Sequence, residues 1–480
     1  MDAEAFADHL QFPRGRGHVP PASCSGSAGG APCGDLIRLS LRVARDRVVD
    51  AGFEASGCGT VIASGSATVA LVHGAGLLDA ARLGPREIAA ALGGLSPGKL
   101  HAAELAADAL HVALGAAVAG LTAGAGAASV VDGRTLVAMS GGVDSAVAAL
   151  LVARAGREAV AVTLELWRDE ANDAEASCCS AHAVRLARSV AHQMGLAHFT
   201  LDLRAAFAAG VVAPFLADHV AGLTPNPCVR CNGDVRLDAM LAFAERLGAA
   251  ELATGHYARV TGDGLLRTAA DPAKDQSYML AALAPASLAQ LRFPLGELHK
   301  PQVRELARAA GLPVADKRES QDLCFLAGTA KSAFLARHGG LRERPGAVVD
   351  RAGRSVGRHR GQHLFTIGQR KGLGIAGPEP LYVLAKDRES NTVTVGAREE
   401  LAATEVAVRD AVMHRPAEEV DRVKLRYRSK PLPCRVRSAA GGRLALELGE
   451  PVDGAAPGQL ACLMRGDAIV GHGVIDSPAR

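Results

Sequence analysis

The sequence predicts a multidomain α/β chain, with an α+β unit first, a parallel-sheet domain second and two small β units last. Length is the first observation behind this, since 480 residues at roughly 150 residues per domain imply about three domains. The second is a break in the text. Leu121 to Gly133 (LTAGAGAASVVDG) is small, glycine-rich and uncharged but for Asp132, which is the composition of a linker. The third is a change of period. Apolar runs alternate with Ala-rich helical stretches from 133 to about 328, and helical periodicity fades after about 330. The boundaries read from these changes are 1–121, a linker at 122–132, then 133–328, 329–398 and 399–480.

In the first unit, Asp35 to Asp50 (DLIRLSLRVARDRVVD) alternates apolar and polar residues and predicts strands. Residues 77–118 carry Ala and Leu at helical spacing, so strands precede helices. In the second, LVAM, AVAVTLEL, HFTLDL and AELATGH read as buried strands between helices. That βαβ rhythm implies a parallel sheet covered by helices. Beyond 330, Arg-, Gly- and Val-rich segments with turn signals such as Asp350 to Gly353 predict short antiparallel strands.

Composition narrows the class. Hydrophobic residues are 49% and charged residues 21%, the balance of a globular chain with ample apolar surface to bury. Aromatics are 3%, so Ala, Leu and Val fill the cores. The most apolar stretch, Ala102 to Leu121, is interrupted by Glu104, Asp108 and His111, whereas a membrane span needs ~20 nearly uncharged residues. The start, Met-Asp-Ala-Glu, lacks the basic and apolar regions of a signal peptide. A cytoplasmic location with no membrane partner is therefore expected. Ten cysteines are too few for a disulfide scaffold and point to metal or redox chemistry. Residues 331–480 carry 25 basic and 17 acidic side chains, a difference of +8. A polyanionic partner should engage that third of the chain.

Chemistry first shows at Ser140-Gly141-Gly142-Val143-Asp144-Ser145, between the strand Leu136–Met139 and the helical run from Ala146. A glycine turn there sets backbone N–H groups and a helix N-terminus against an anion. Ser140 and Ser145 add hydroxyls, and Asp144 is suited to a magnesium ion beside phosphates. A tight βα turn with a serine cap is the bland alternative. The segment lacks the lysine of the GxxxxGK[ST] loop. It resembles the PP-loop of ATP pyrophosphatases, which adenylate an oxygen and release pyrophosphate.

Thr224-Pro-Asn-Pro-Cys228-Val-Arg-Cys231-Asn232 is a proline-flanked loop with a C-x-x-C, and Cys324 lies in SQDLCF. The C-x-x-C alone fits zinc ligation or disulfide exchange. Its Pro, Asn and Arg neighbours argue against burial, and Arg230 favours a thiolate nearby. The PP-loop, TPNPCVRCN and SQDLCF together resemble the bacterial tRNA-specific 2-thiouridylase family, MnmA, over roughly 133–480. ATGHYAR (253–259), KDQSY (274–278), GQHLFTIGQRKGLG (361–374), Arg426-Tyr427-Arg428 and Pro457-Gly458-Gln459 belong to the same likeness.

The resemblance implies an adenine nucleotide α-hydrolase-like PP-loop domain, a small central β domain and a C-terminal β-barrel that binds tRNA. It implies ATP and Mg2+ as cofactors and the tRNA anticodon arm as partner. It assigns Cys231 as nucleophile and Cys324 as persulfide carrier. Ala138, Met139, Ser140, Gly141, Gly142, Val143, Asp144, Ser145, Leu164 and Gly255 match its nucleotide contacts. Asn226, Pro227 and Cys228 match the segment at the target base. His256, Lys274, Asp275, Gln276, Arg426, Tyr427, Arg428 and Gln459 match tRNA contacts. Some members have Asp where Cys228 stands, so an iron–sulfur cluster on Cys228, Cys231 and Cys324 is an alternative to the persulfide. An amidating or lysidine-forming PP-loop ligase and an iron–sulfur carrier are the competing functions.

The chemistry suits those parts. A uridine carbonyl oxygen leaves poorly, whereas an adenylate leaves well. A persulfide then delivers sulfur, and a second thiol frees it by exchange.

Near the N-terminus, Cys33, Asp35, Cys58 and His101 offer a tetrahedral donor set for zinc or iron. Loop cysteines without metal are the plain alternative. Residues 24–118 resemble the IscU/NifU-N iron–sulfur scaffold family, whose ligand positions those four residues match. The likeness implies zinc or an iron–sulfur cluster and a cysteine desulfurase or other sulfur donor as partner. Ala102 stands where that family has a third cysteine. Tethering such a unit to a sulfur transferase would raise its effective concentration.

Last, Arg422, Lys424, Arg426, Arg428 and Lys430 alternate strictly, and 422–437 holds seven basic residues and no acid. At period two these five project from one strand face, which favours a phosphate partner over a merely solvated edge. Cys434 and Cys462 read as core residues, Cys178 and Cys179 as structural, and Trp167 as a wall residue.

Overall fold

The computed structural model describes residues 3–29, 34–121, 130–169, 180–318, 323–326, 328–375 and 379–476. They form two compact units. The first comprises residues up to 204 with 239–256 and 290–325, and the second comprises 205–238, 257–289 and 326–480.

The first unit begins with helix α1 (Ala3–Gln11) and an antiparallel sheet of β1 (Cys24–Gly29), β2 (Leu36–Ala44) and β3 (Arg47–Ser56), paired in that order. Alternation in β2 buries Ile37, Leu39 and Leu41 on one side. Helices α2 (Gly59–Val72), α3 (Leu77–Ala80), α4 (Pro85–Ala91) and α5 (Leu100–Ala119) follow, so the α+β expectation holds. The stretch Pro97–Ala119 is long and apolar enough to cross a membrane, yet 72% of its most apolar 18 residues is buried. It is the core helix of this module, and small side chains let it lie close to β1 and β2.

The parallel sheet comes next, with β4 (Arg134–Ala138), α6 (Val143–Arg154), β5 (Glu158–Glu165), α7 (Ala181–Gln193), β6 (Ala197–Asp202) and β7 (Glu251–Ala253). Strand Leu291–Arg292 completes it, and the order is 291–292, β7, β4, β5, β6, all parallel. Val160, Ala161, Val162 and Phe199 are almost fully buried, as strands covered on both faces require. The expected linker is largely outside the described residues, as are Cys178 and Cys179.

In the second unit, helix Lys331–Gly339 opens the region expected to be purely β. A four-stranded sheet follows in the order 355–359, 346–349, 392–396, 382–387. Val348, Val383, Val393, Val395 and Phe365 form its core. Six C-terminal strands close into an antiparallel barrel, because Ala402–Met413 pairs with both Arg443–Asp453 and Ala468–Ile475. Strand Leu266–Arg267 joins its edge. Cys434 and Cys462 are 6% and 1% exposed, and burial pushes both thiols up to about 12. They are core residues, as expected.

The basic strand differs from its prediction. Pairing stops at Lys424, and Arg426 to Ser429 form a turn. The reason is local. Lys424 turns inward and pairs with the buried Asp275 at 3.0 Å, and the partner strand starts with Pro431 and Pro433 around it, which donate no ladder hydrogen bonds. The five basic side chains therefore do not share one face.

Candidate functional site

In the first unit, β4 delivers the chain to the Ser140–Ser145 turn, and α6 starts at Val143 with Gly142 as an extended cap residue. Gly141 takes φ +69°, a conformation that favours glycine. Ser145 Oγ accepts from Ser140 N–H at 3.1 Å and donates to the Gly142 carbonyl at 3.1 Å. The Ser140 and Ser145 hydroxyls are 3.2 Å apart. This knots the turn and leaves the N-terminus of a 12-residue helix as its electropositive end. Gly255, just beyond β7, lies so close that a Cβ there would meet Ser145 N at 2.7 Å. Met139 and Leu164 are 3% and 8% exposed at the ends of β4 and β5.

Two lysines that the sequence reading did not single out reach this turn. Lys300 Nζ donates to both Asp144 oxygens, at 2.7 and 2.8 Å. Lys317 Nζ donates to the Gly141 carbonyl at 2.9 Å. An ammonium from 156 residues away in sequence thus lies beside Asp144, the residue expected to face magnesium. His256 is also here, its Nδ1 2.9 Å from Thr254 Oγ1. Cys324 is half-buried in a turn of this unit.

In the second unit, Asn226 caps the short helix Pro227–Arg230, its Oδ1 accepting from Cys228 N–H at 3.2 Å. A π-helical turn, Cys231–Arg236, follows at once, and such turns concentrate at functional sites. It folds Cys231 inward to 6% exposure, against the expectation from its polar neighbours. Asn232 anchors the turn, donating to the Met279 carbonyl at 3.2 Å. Cys228 stays half-exposed. The loop is also held from the barrel. Gln459 Nε2 donates to the Thr224 carbonyl at 2.6 Å, and Thr224 N–H donates to Pro457 O at 3.0 Å.

Asp275 and Gln276 are occupied structurally. Asp275 accepts from Ala269 N–H, Ser277 N–H, Ser277 Oγ and Lys424 Nζ at 3.0–3.2 Å. Gln276 Oε1 accepts from Tyr257 N–H at 3.1 Å, while Lys274, just before the two, is half-exposed. Arg426 donates to the Gly454 carbonyl at 2.8 Å. The Arg428 guanidinium is 5.9 Å from the centre of the Tyr427 ring, and that ring is 6.4 Å from Tyr278. The Arg-Tyr-Arg turn thus presents a stacked arginine and aromatic, groups that suit an exposed base and its phosphate.

In the N-terminal module, Asp35, Cys58 and His101 bring one donor atom each within 4.8 Å of one another. Asp35 Oδ2 is 3.2 Å from both Cys58 Sγ and His101 Nε2, and Cys58 N–H donates to Oδ1 at 2.8 Å. The mixed oxygen, sulfur and nitrogen set fits zinc or ferrous iron. Cys33 lies outside the described residues. Ala102 is fully buried in the module core and supplies no ligand.

A serine- and glycine-lined turn at a helix N-terminus of a parallel sheet, with two lysines on it, defines a nucleotide-using α/β enzyme. The chain also carries a thiol-bearing loop pinned to a β-barrel and an α+β module that gathers Asp35, Cys58 and His101. Four family models match the chain: NifU-like N terminal domain at 1–118, tRNA methyl transferase HUP domain at 133–328, tRNA methyl transferase PRC-barrel domain at 332–397 and Aminomethyltransferase beta-barrel domain at 398–475. A bifunctional protein NifU/MnmA of Rubrobacter xylanophilus is 44% identical over 98% of this chain and 97% of its own. The tRNA-specific 2-thiouridylases MnmA of Geobacter metallireducens and Xanthobacter autotrophicus are 42% and 44% identical, over 72% and 71% of this chain and 97% and 92% of theirs. The chain belongs to the MnmA family of tRNA-specific 2-thiouridylases, in the form that carries an N-terminal NifU-like domain.

Proposed function

We propose that this protein converts the C2 carbonyl of the wobble uridine of tRNA to a thiocarbonyl, using ATP. The α6 N-terminus, Ser140 and Ser145 hold the phosphates, while Lys300 and Lys317 offset their charge. Mg2+ enters with ATP, and Asp144 is the acidic group placed to share it. The uridine O2 attacks the α-phosphorus, and pyrophosphate leaves. The terminal sulfur of a Cys324 persulfide then attacks C2, and AMP departs with the former oxygen. Cys231 thiolate attacks the Cys324 sulfur, so the C–S bond stays with the base. A disulfide remains between the two cysteines, and an external thiol reductant restores them. The reading locates tRNA at the Arg426-Tyr427-Arg428 turn and the Asn226–Cys228 cap.

The observation that carries this reading is the Cys228–Cys231 loop, fixed at Asn226, Asn232 and Thr224 in a chain that also holds a phosphate turn. Asp35, Cys58 and His101 would hold a zinc or iron ion, which fixes the loops around them. The module is read as the surface that receives a sulfur donor such as a cysteine desulfurase. The test is mass spectrometry of tRNA nucleosides after incubation with ATP and a sulfur source. Cys231→Ser and Cys324→Ser should abolish 2-thiouridine. Product from Cys324→Ser with free sulfide would refute the three-cysteine cluster, and loss of product with sulfide supplied would refute a purely persulfide role. No thiolation and no AMP from the native protein would refute the function.

A further inference from the structure

The N-terminal module and the parallel-sheet domain are fused in sequence through an Ala- and Gly-rich segment, and within the first unit they also share a buried, polar seam. Helix α5 lies along β6, the edge strand of the parallel sheet. At Gly115 the contact is backbone to backbone, since a Cβ there would sit 1.9 Å from the Thr200 carbonyl oxygen. His111, fully buried on α5, bridges the two parts, with Nδ1 2.6 Å from His198 O of β6 and Nε2 2.8 Å from Leu83 O of its own module. His198 N–H donates to the Ala81 carbonyl at 2.9 Å, which caps the strand edge.

The charge pairing across this seam is one-directional. Arg188 on α7 is 2% exposed. A guanidinium so buried needs a carboxylate, and Asp108 of α5 supplies it at 2.8 Å. Asp108 also takes Arg185 of α7 at 2.7 Å. The first turn of that same α7 packs on the phosphate turn, where a Cβ on Gly141 would meet Ala183 O at 2.8 Å. One helix of the catalytic domain thus touches the nucleotide loop at its start and takes its counter-charge from the other module a turn or so later.

We propose that the N-terminal module is a built-in brace of the nucleotide site, with Asp108 the positioning residue that holds α7 against the phosphate turn through Arg185 and Arg188. The module then acts as a fixed part of the catalytic domain, and a free tether between independent bodies is the wrong description. The proposal rests on the reading of Ser140–Ser145 as the ATP site.

The test uses the full chain with a protease site placed within residues 122–129. After cutting, the two fragments should co-elute at micromolar concentration and neutral pH. Asp108→Asn should weaken equilibrium ATP binding about five- to tenfold and leave turnover at saturating ATP within about twofold, and Asp108→Glu should recover most of the affinity. Should Asp108→Asn not fold, Gly115→Val in the cut chain serves, and it should separate the fragments and lower ATP affinity of the catalytic fragment. Fragments of the native chain that part on cutting, or a folded Asp108→Asn with native ATP affinity, overturn the brace. So does a cut Gly115→Val chain that stays together and binds ATP normally. A native chain that binds no ATP refutes the nucleotide-site reading instead, so the two failures are distinguishable.

Discussion

Lys300 Nζ bridges both carboxylate oxygens of Asp144, at 2.7 and 2.8 Å, across 156 residues of sequence. The pair sits on the first turn of α6, and the Lys300 side chain is only 10% exposed. It neutralises a carboxylate that would otherwise repel an incoming triphosphate. Lys300→Met should therefore remove that ammonium from Asp144 and lower kcat/KM for ATP by about a hundredfold, the usual scale for losing one preorganised group at developing charge. Steady-state release of pyrophosphate against ATP concentration measures it. An unchanged kcat/KM would remove Lys300 from the site.

Gly255 gives a steric counterpart. An alanine methyl there would meet Ser145 N at 2.7 Å and the Asp144 carbonyl carbon at 2.8 Å. Backbone cannot yield as a flexible side chain does, so Gly255→Ala should cost about 1–3 kcal/mol of stability and displace the α6 N-terminus. Urea unfolding with and without ATP separates these effects. Ligand stabilisation should shrink beyond the loss in the free protein.

How far the sequence revealed this site depends on distance along the chain. Ser140 to Ser145 was legible because turn, cap and helix are contiguous. Lys300 and Lys317 were not, because nothing local marks a lysine that folds back on a remote aspartate. Cys231 was expected to be accessible from its Pro and Arg neighbours, but the π turn that buries it depends on Asn232 reaching the Met279 carbonyl. Likewise the period-two run from Arg422 was real as a pattern, yet tertiary pairing of Lys424 with Asp275 cut the strand short. The interface role of Asp108 and His111 was hidden, since on a helical wheel both look like interruptions in an apolar face.

That Lys424–Asp275 pair makes its own prediction. The two side chains are 9% and 5% exposed and 3.0 Å apart. Lys424→Met leaves a buried carboxylate without its cation and should cost about 3–5 kcal/mol. The double variant Lys424→Met with Asp275→Asn should recover part of that, because the amide needs no counter-charge. A double-mutant cycle in denaturant measures the coupling, and additive losses would mean the pair is not energetically linked.

For the metal centre, the donor set of Asp35, Cys58 and His101 predicts one tightly bound zinc or ferrous ion per chain under reducing conditions. Asp35→Ala removes the carboxylate common to both other ligands and should lower binding at least tenfold, the scale on which even outer-shell losses act. Metal content after dialysis and competition with a chromogenic chelator give the readout. Equal metal retention by Asp35→Ala would show that the three residues only bond to one another.

Acid sensitivity of the second unit follows in part from two imidazoles, the buried His219 and the half-buried His472. Burial, reinforced by Lys331, Lys386 and His363, lowers His219 to about 3, and burial with His414 lowers His472 to about 4. His219 also packs edge-on against Phe215 at 4.6 Å, so protonation in place would set a charge among rings and cations. Unfolded, both histidines titrate near their ordinary 6.5. Between that value and the depressed ones the unfolded chain binds more protons than the folded one. Stability is therefore complete above about 6.5 and falls as pH drops below it, by up to about 1.4 kcal/mol per pH unit for each histidine. Most carboxylates contribute little above pH ~5, so the interval from 6.5 to 5 reads mainly the histidines, with burial of Glu165 and Asp218 raising two carboxyls toward it. Urea midpoints of the native chain should fall across it, and His219→Phe, which fills the same site with an uncharged ring, should reduce the slope by that residue's share, since burial also holds His111, His198, His359, His363 and His414 low. A flat native profile in that interval, or an unaltered slope in the variant, would show that these imidazoles do not set the acid limit of the fold.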